Sequence, residues 1–86
     1  MGLVEAGTTF EVEQAGCESC AALVRDALEE LVPVAELSID EAADLATVRL
    51  APGAAASVEE VDRLLVGASE GTGHTYRVRP GSWRAG

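Results

Sequence analysis

Lysine is missing from this 86-residue chain, aromatic residues are limited to Phe10, Tyr76 and Trp83, and the sequence holds only two cysteines and one histidine. Each shortage excludes something. Without lysine there is no Schiff-base chemistry and no lysine-based phosphate cradle. With so few aromatics the core has to be aliphatic. No apolar run is long enough to span a bilayer, and no basic segment followed by an apolar one marks a secretory leader. The expected setting is therefore cytoplasmic, without membrane insertion, where thiols are kept reduced. A Ser-His-Asp set, a glycine-rich phosphate loop and a paired-carboxylate pocket are also lacking, which argues against an enzyme.

Acid and small aliphatic residues dominate instead. The formal net charge is -9, and all six basic residues are arginine. Such a surface repels phosphate, so nucleic acid and anionic membranes are excluded as partners. It suits a basic partner surface or simple solubility. The length fits one small domain with a thin core.

Hydrophobic periodicity orders the elements. Residues 8–13 alternate, with Phe10 and Val12 on one side, as a half-buried strand does. Residues 14–17 form a loop. Cys20, Leu23, Val24, Ala27, Leu28 and Leu31 recur at helical spacing and predict a helix over 18–32, stopped by Pro33. Residues 34–39 alternate again, with Ala35, Leu37 and Ile39 sharing a face. An acidic turn over 40–44 leads to a third strand carrying Ala46, Val48 and Leu50. A linker of small residues, 51–56, follows. Ser57 and Glu60 form a capping box for a second helix, whose buried stripe is Val58, Val61, Leu64, Leu65 and Ala68. The last strand, 75–79, turns Tyr76 and Val78 inward. Residues 1–7 and 80–86 are short terminal tails, with Trp83 either packed back on the sheet or loose. The order βαββαβ predicts an α+β, ferredoxin-like sandwich over residues 8–79: a four-stranded antiparallel sheet with two helices on one face.

Cys17 and Cys20 stand in the string Ala15-Gly16-Cys17-Glu18-Ser19-Cys20, at the junction of strand, loop and helix. A helix N-terminus stabilises thiolates, and Glu18 partly opposes this. Two soft thiolates without a four-ligand cage favour Cu(I). A closed tetrahedral zinc site needs more ligands than two cysteines and one histidine supply. The same pair also fits a redox dithiol.

The strand, C-x-x-C loop and helix, taken with the element order, resemble heavy-metal-associated domains, including copper chaperones and the metal-binding domains of copper-transporting ATPases. The resemblance implies Cu(I) held by Cys17 and Cys20, and delivery to a metal-transporting P-type ATPase or a metal-responsive regulator. It also leaves Hg(II), Cd(II) and Zn(II) open as cargo. The family loop reads G-M-x-C-x-x-C; here Ala15 replaces the methionine, which alters loop packing. Gly73-His74 falls in the loop before the last strand, where relatives approach the metal. His74 is thereby a candidate third ligand, thiolate hydrogen-bond donor or pH-sensitive tuner.

The expected function is metallochaperone transfer by thiolate exchange, as a monomer or a metal-bridged dimer. Two other readings compete. A glutaredoxin-like thiol–disulfide oxidoreductase shares the small size and the C-x-x-C, but Glu18-Ser19 replaces the proline usual inside that pair. A divergent interaction module that no longer transports metal is the other.

Overall fold

The computed structural model describes residues 8–51 and 56–84. Their element order is β1 (Thr9–Glu13), α1 (Glu18–Glu29), β2 (Val34–Asp40), β3 (Leu45–Leu50), α2 (Val58–Ser69) and β4 (Arg77–Val78). The strands form one sheet in the order β2-β3-β1-β4. Every pairing in it is antiparallel. The βαββαβ, ferredoxin-like α+β fold expected from the periodicity is the fold observed. The 51–56 linker is described only at its two ends, and residues 1–7 and 85–86 lie outside the described residues.

Strand alternation sets the core. Phe10 and Val12 of β1, Ala46, Val48 and Leu50 of β3, and Val78 are buried against Val24 and Leu28 of α1 and Val61 and Leu65 of α2. The capping box is formed: Glu60 N donates to Ser57 Oγ at 3.2 Å, and Ser57 N donates to Glu60 Oε1 at 3.1 Å. It fixes where α2 begins.

Three expectations need correction, and one open alternative is resolved. First, α1 stops at Glu29 rather than at residue 32. The chain tightens there, with Leu31 N and Val32 N both donating to Leu28 O, because Pro33 biases the residue before it to extended backbone. Leu23 and Leu31 lie near the surface, 40% and 38% exposed, while Ala21 joins the buried stripe. Second, Ala35 is exposed, although Leu37 and Ile39 do pack against the core. A bulge between Val34 and Glu36 inserts one residue and reverses the parity of the strand at that point.

Third, β4 is two residues long. Its backbone is tied by other means: Val78 N donates to Asp62 Oδ1 of α2 at 2.8 Å, and Arg79 N donates to Glu11 O at 2.8 Å. Asp62 thus caps a sheet edge that would otherwise be open. Of the two alternatives open for Trp83, the structure shows the packed one. Gly81, at φ +82°, turns the chain, Thr9 and Arg84 exchange backbone hydrogen bonds of 2.8 Å, and the Trp83 ring stacks on Phe10 with centroids 5.1 Å apart.

Candidate metal centre

β1 ends at Glu13, and the chain must reverse before α1. Gln14 makes that reversal with φ +62°. Ala15 and Gly16 then run buried beneath the loop. Gly16 is the position where the backbone comes closest to another element: a Cβ there would lie 2.6 Å from Asp44 Cα and 2.9 Å from Asp40 O. Only glycine fits. Two hydrogen bonds tie the loop to its neighbours. Gly16 N donates to Asp44 Oδ1 in the β2–β3 turn at 3.1 Å, and Thr75 N, ahead of β4, donates to Gln14 Oε1 at 3.1 Å.

Cys17 is the N-cap of α1, with extended backbone, and its sulfur accepts from Cys20 N at 3.3 Å. A cysteine here takes the part usually played by serine or aspartate, satisfying one of the helix's free N–H groups with sulfur. The Cys17 Sγ is exposed and lies 3.5 Å from Ser19 Oγ. Cys20, one turn on, is 4% exposed. Both cysteines are free thiols. The C-x-x-C spacing therefore gives one sulfur open to solvent and one held beneath it.

Their acidities diverge. Cys17 is held below the ordinary thiol value by the hydrogen bond from the Cys20 side chain, then by Ser19 and the Cys20 backbone N–H. Cys20 is pushed above it, first because its thiol donates to Cys17, then by burial and by the charges of Cys17 and Asp44; the Tyr76 hydroxyl acts in the opposite sense. The more acidic sulfur of the pair is therefore the exposed one.

His74 is exposed and follows Gly73, which has φ +82°. Its N–H donates to Thr72 Oγ1 at 3.1 Å, and its ring stacks against Tyr76 at 6.1 Å between centroids. Among the described residues no three His, Cys, Asp or Glu side chains come together as a metal-holding group. Cys17 and Cys20 are thus brought together, and His74 stacks on Tyr76 rather than joining them in such a group. Residues that sequence reasoning passed over complete the site: Gln14, Ser19, Asp44 and Tyr76. Tyr76 was legible as a core aromatic, and its hydroxyl was the signal that such a residue wants a polar partner.

Residues 9–73 match the family model of the heavy-metal-associated domain. The chain belongs to that family. Its members are metal-binding modules, and the domain described here binds heavy-metal ions as a class. A comparison with curated protein sequences finds no significant match. Among solved structures, oxidised MerP from Ralstonia metallidurans CH34 is similar at a TM-score of 0.55 and 18% identity, over 85% of this chain and 99% of that one. A protein from work on crosstalk between Cu(I) and Zn(II) homeostasis is similar at a TM-score of 0.54 and 20% identity, over 83% and 97%. At these identities the likeness establishes the fold of the heavy-metal-associated domain. Among the described residues no helix is long and apolar enough to cross a membrane.

Proposed function

We propose that this heavy-metal-associated domain is a Cu(I) metallochaperone, not an enzyme, with Cys17 and Cys20 as its ligands. The observation that carries this reading is the asymmetry of the thiol pair: an exposed, more acidic Cys17 on the helix cap above a buried, less acidic Cys20. Two thiolates and no third clustered donor among the described residues suit an ion content with low coordination. Delivery is ligand exchange. A partner's thiolate attacks the bound ion from the solvent side, a three-coordinate bridge forms, and Cys17 is the first sulfur of this chain to let go. Cys20 follows.

In this reading the acceptor is a metal-transporting P-type ATPase or a metal-responsive regulator in the cytoplasm, with a basic docking face that complements the net charge of -9. The working form is the monomer, and a metal-bridged dimer is the alternative stoichiometry. His74 acts as a tuner through its stack on Tyr76 and not as a third ligand.

An anaerobic Cu(I) titration of the reduced protein against a competing chelator tests this. The expected result is tight one-to-one binding, lost in Cys17→Ser and in Cys20→Ser and largely kept in His74→Ala. Failure to compete for Cu(I) overturns the copper assignment. Parallel titrations with Hg(II), Cd(II) and Zn(II) then identify the cargo, and catalytic turnover with a disulfide substrate would install the oxidoreductase reading in its place.

A further inference from the structure

The Tyr76 hydroxyl is a buried side-chain polar atom with no hydrogen-bond partner inside ordinary geometric limits. Its residue is fully buried. A phenol shut away from water without a partner is costly, so native structures normally give such a group something to bond. Two polar side chains act on this one, Cys20 and Thr72. Thr72 is already engaged: its Oγ1 donates to Ser69 O at 2.6 Å and accepts from His74 N at 3.1 Å. That leaves one lone pair on Thr72 Oγ1 and the Cys20 sulfur as the acceptors open to the phenol. Tyr76 and Ala15 belong to the same buried cluster as Cys20. Ala15 brings only a methyl group into that cluster from the loop, and the tyrosine brings a long side chain with a polar tip.

We propose that Tyr76 is a positioning residue whose hydroxyl donates a hydrogen bond to the Cys20 sulfur, making Cys20 the anchored member of the thiol pair. The metal-dependent part of this rests on the reading of Cys17 and Cys20 as metal ligands; the hydrogen bond itself does not. A phenol ordinarily ionises near pH 10, so the hydroxyl keeps its proton and remains a donor over the whole neutral range. Cys20 in turn donates towards Cys17, whose sulfur also receives the Cys20 backbone N–H. The result is a directed chain, from the Tyr76 hydroxyl to the Cys20 sulfur to the Cys17 sulfur, running from the core to the solvent. Donation to a thiolate lowers the energy of its lone pairs and makes it a poorer nucleophile. The anchored sulfur therefore holds its position while the exposed one exchanges. Outer hydrogen bonds of this kind orient and tune metal ligands.

The chain has one tyrosine, so its vibrational signature is unambiguous. The first arm of the test is metal-free: the Raman doublet of Tyr76 in the reduced protein, compared with Cys20→Ala. A donor signature present in the parent and lost in Cys20→Ala is expected; the same doublet in both overturns the proposal. The second arm loads Hg(II) anaerobically into the parent and Tyr76→Phe, which keeps the ring and removes the hydroxyl. Loss of the donated bond should move the thiolate-to-metal charge-transfer edge to longer wavelength and weaken metal affinity by about 10- to 100-fold. An unchanged edge and affinity overturn the anchoring role. A parent protein that takes up neither Hg(II) nor Cu(I), while the Raman signature still vanishes in Cys20→Ala, removes the metal reading and leaves the hydrogen bond standing.

Discussion

Gly16 and Asp44 lock the metal loop to the β2–β3 turn: Gly16 N donates to Asp44 Oδ1 at 3.1 Å, and the two backbones are too close for a side chain on Gly16. Asp44 itself sits at φ +56°, a region asparagine and aspartate tolerate better than other side chains. Gly16→Ala should destabilise the protein by about 1–3 kcal/mol, the usual range for forcing atoms into a packed site, and weaken metal binding because the loop must move away from the turn. Asp44→Asn keeps an oxygen acceptor and the tolerance for positive φ, so it should stay close to the parent in stability. Asp44→Ala loses both and should cost about 1–2 kcal/mol. Urea midpoints of the three variants check this ranking, and a Gly16→Ala variant as stable as the parent would show that the loop is not locked.

The two thiols should be separable by alkylation. Cys17 is exposed and more acidic than an ordinary thiol, while Cys20 is buried and less acidic. Limiting iodoacetamide at neutral pH should therefore modify Cys17 several-fold faster, because the thiolate is the reacting form. Ser19→Ala removes one of the hydrogen bonds that hold Cys17 down, so its reactive pH should move up. Asp44→Asn removes a charge that holds Cys20 up, so Cys20 should become reactive at lower pH. Peptide mass mapping across a pH series reads both effects, and equal rates at the two positions would contradict the asymmetry.

Most of the fold was legible because period-2 and period-3.6 patterns are local. Phe10 and Val12, the Ser57–Glu60 capping box and the inward Tyr76 and Val78 all follow from spacing alone, and so does the juxtaposition of Cys17 and Cys20. The misses arise where a distant partner decides. Ala35 fits the alternation of β2 but is displaced by a bulge set by pairing with β3. Gln14 and Asp44 adopt positive φ because the loop and the turn meet, although their positions are 30 apart in the chain. Asp62 and Val78 form a bond between elements that no single-strand pattern registers. The Tyr76 hydroxyl is buried without a recorded hydrogen-bond partner, and a pattern of apolar residues carries no information about where a hydroxyl points.

The segment after β4 should be part of the folding unit. Trp83 stacks on Phe10, and Arg84 closes a backbone bridge with Thr9. Thr9 and Glu13 mark opposite ends of β1, and the cysteine loop follows Glu13. Trp83→Ala should therefore cost about 1–3 kcal/mol, combining lost stacking with lost apolar burial, while leaving metal affinity unchanged. Denaturation followed by circular dichroism gives the first quantity, and a chelator competition gives the second. A stability equal to the parent's would return this segment to the status of a tail.

Tyr76 should make the domain sensitive to alkali in a defined window. An unfolded tyrosine ionises near pH 10, whereas burial, with help from the neighbouring thiols, pushes Tyr76 up to about 12 in the fold. Between those values the folded state keeps a proton that the unfolded state has lost, so stability falls as pH rises. The contribution is fully present below about pH 10 and is lost as pH climbs through about 12. Two pH units correspond to about 2–3 kcal/mol, a large part of the roughly 4–13 kcal/mol expected for a domain of this size. Cys20 is also pushed above the ordinary thiol value, so the informative quantity is the difference between the parent and Tyr76→Phe. Urea midpoints from pH 8 to 12 should diverge above about pH 10, with the phenylalanine variant declining less. Parallel curves would mean that the hydroxyl is hydrated in the folded protein, and with that the case for its partnership with Cys20 would be lost.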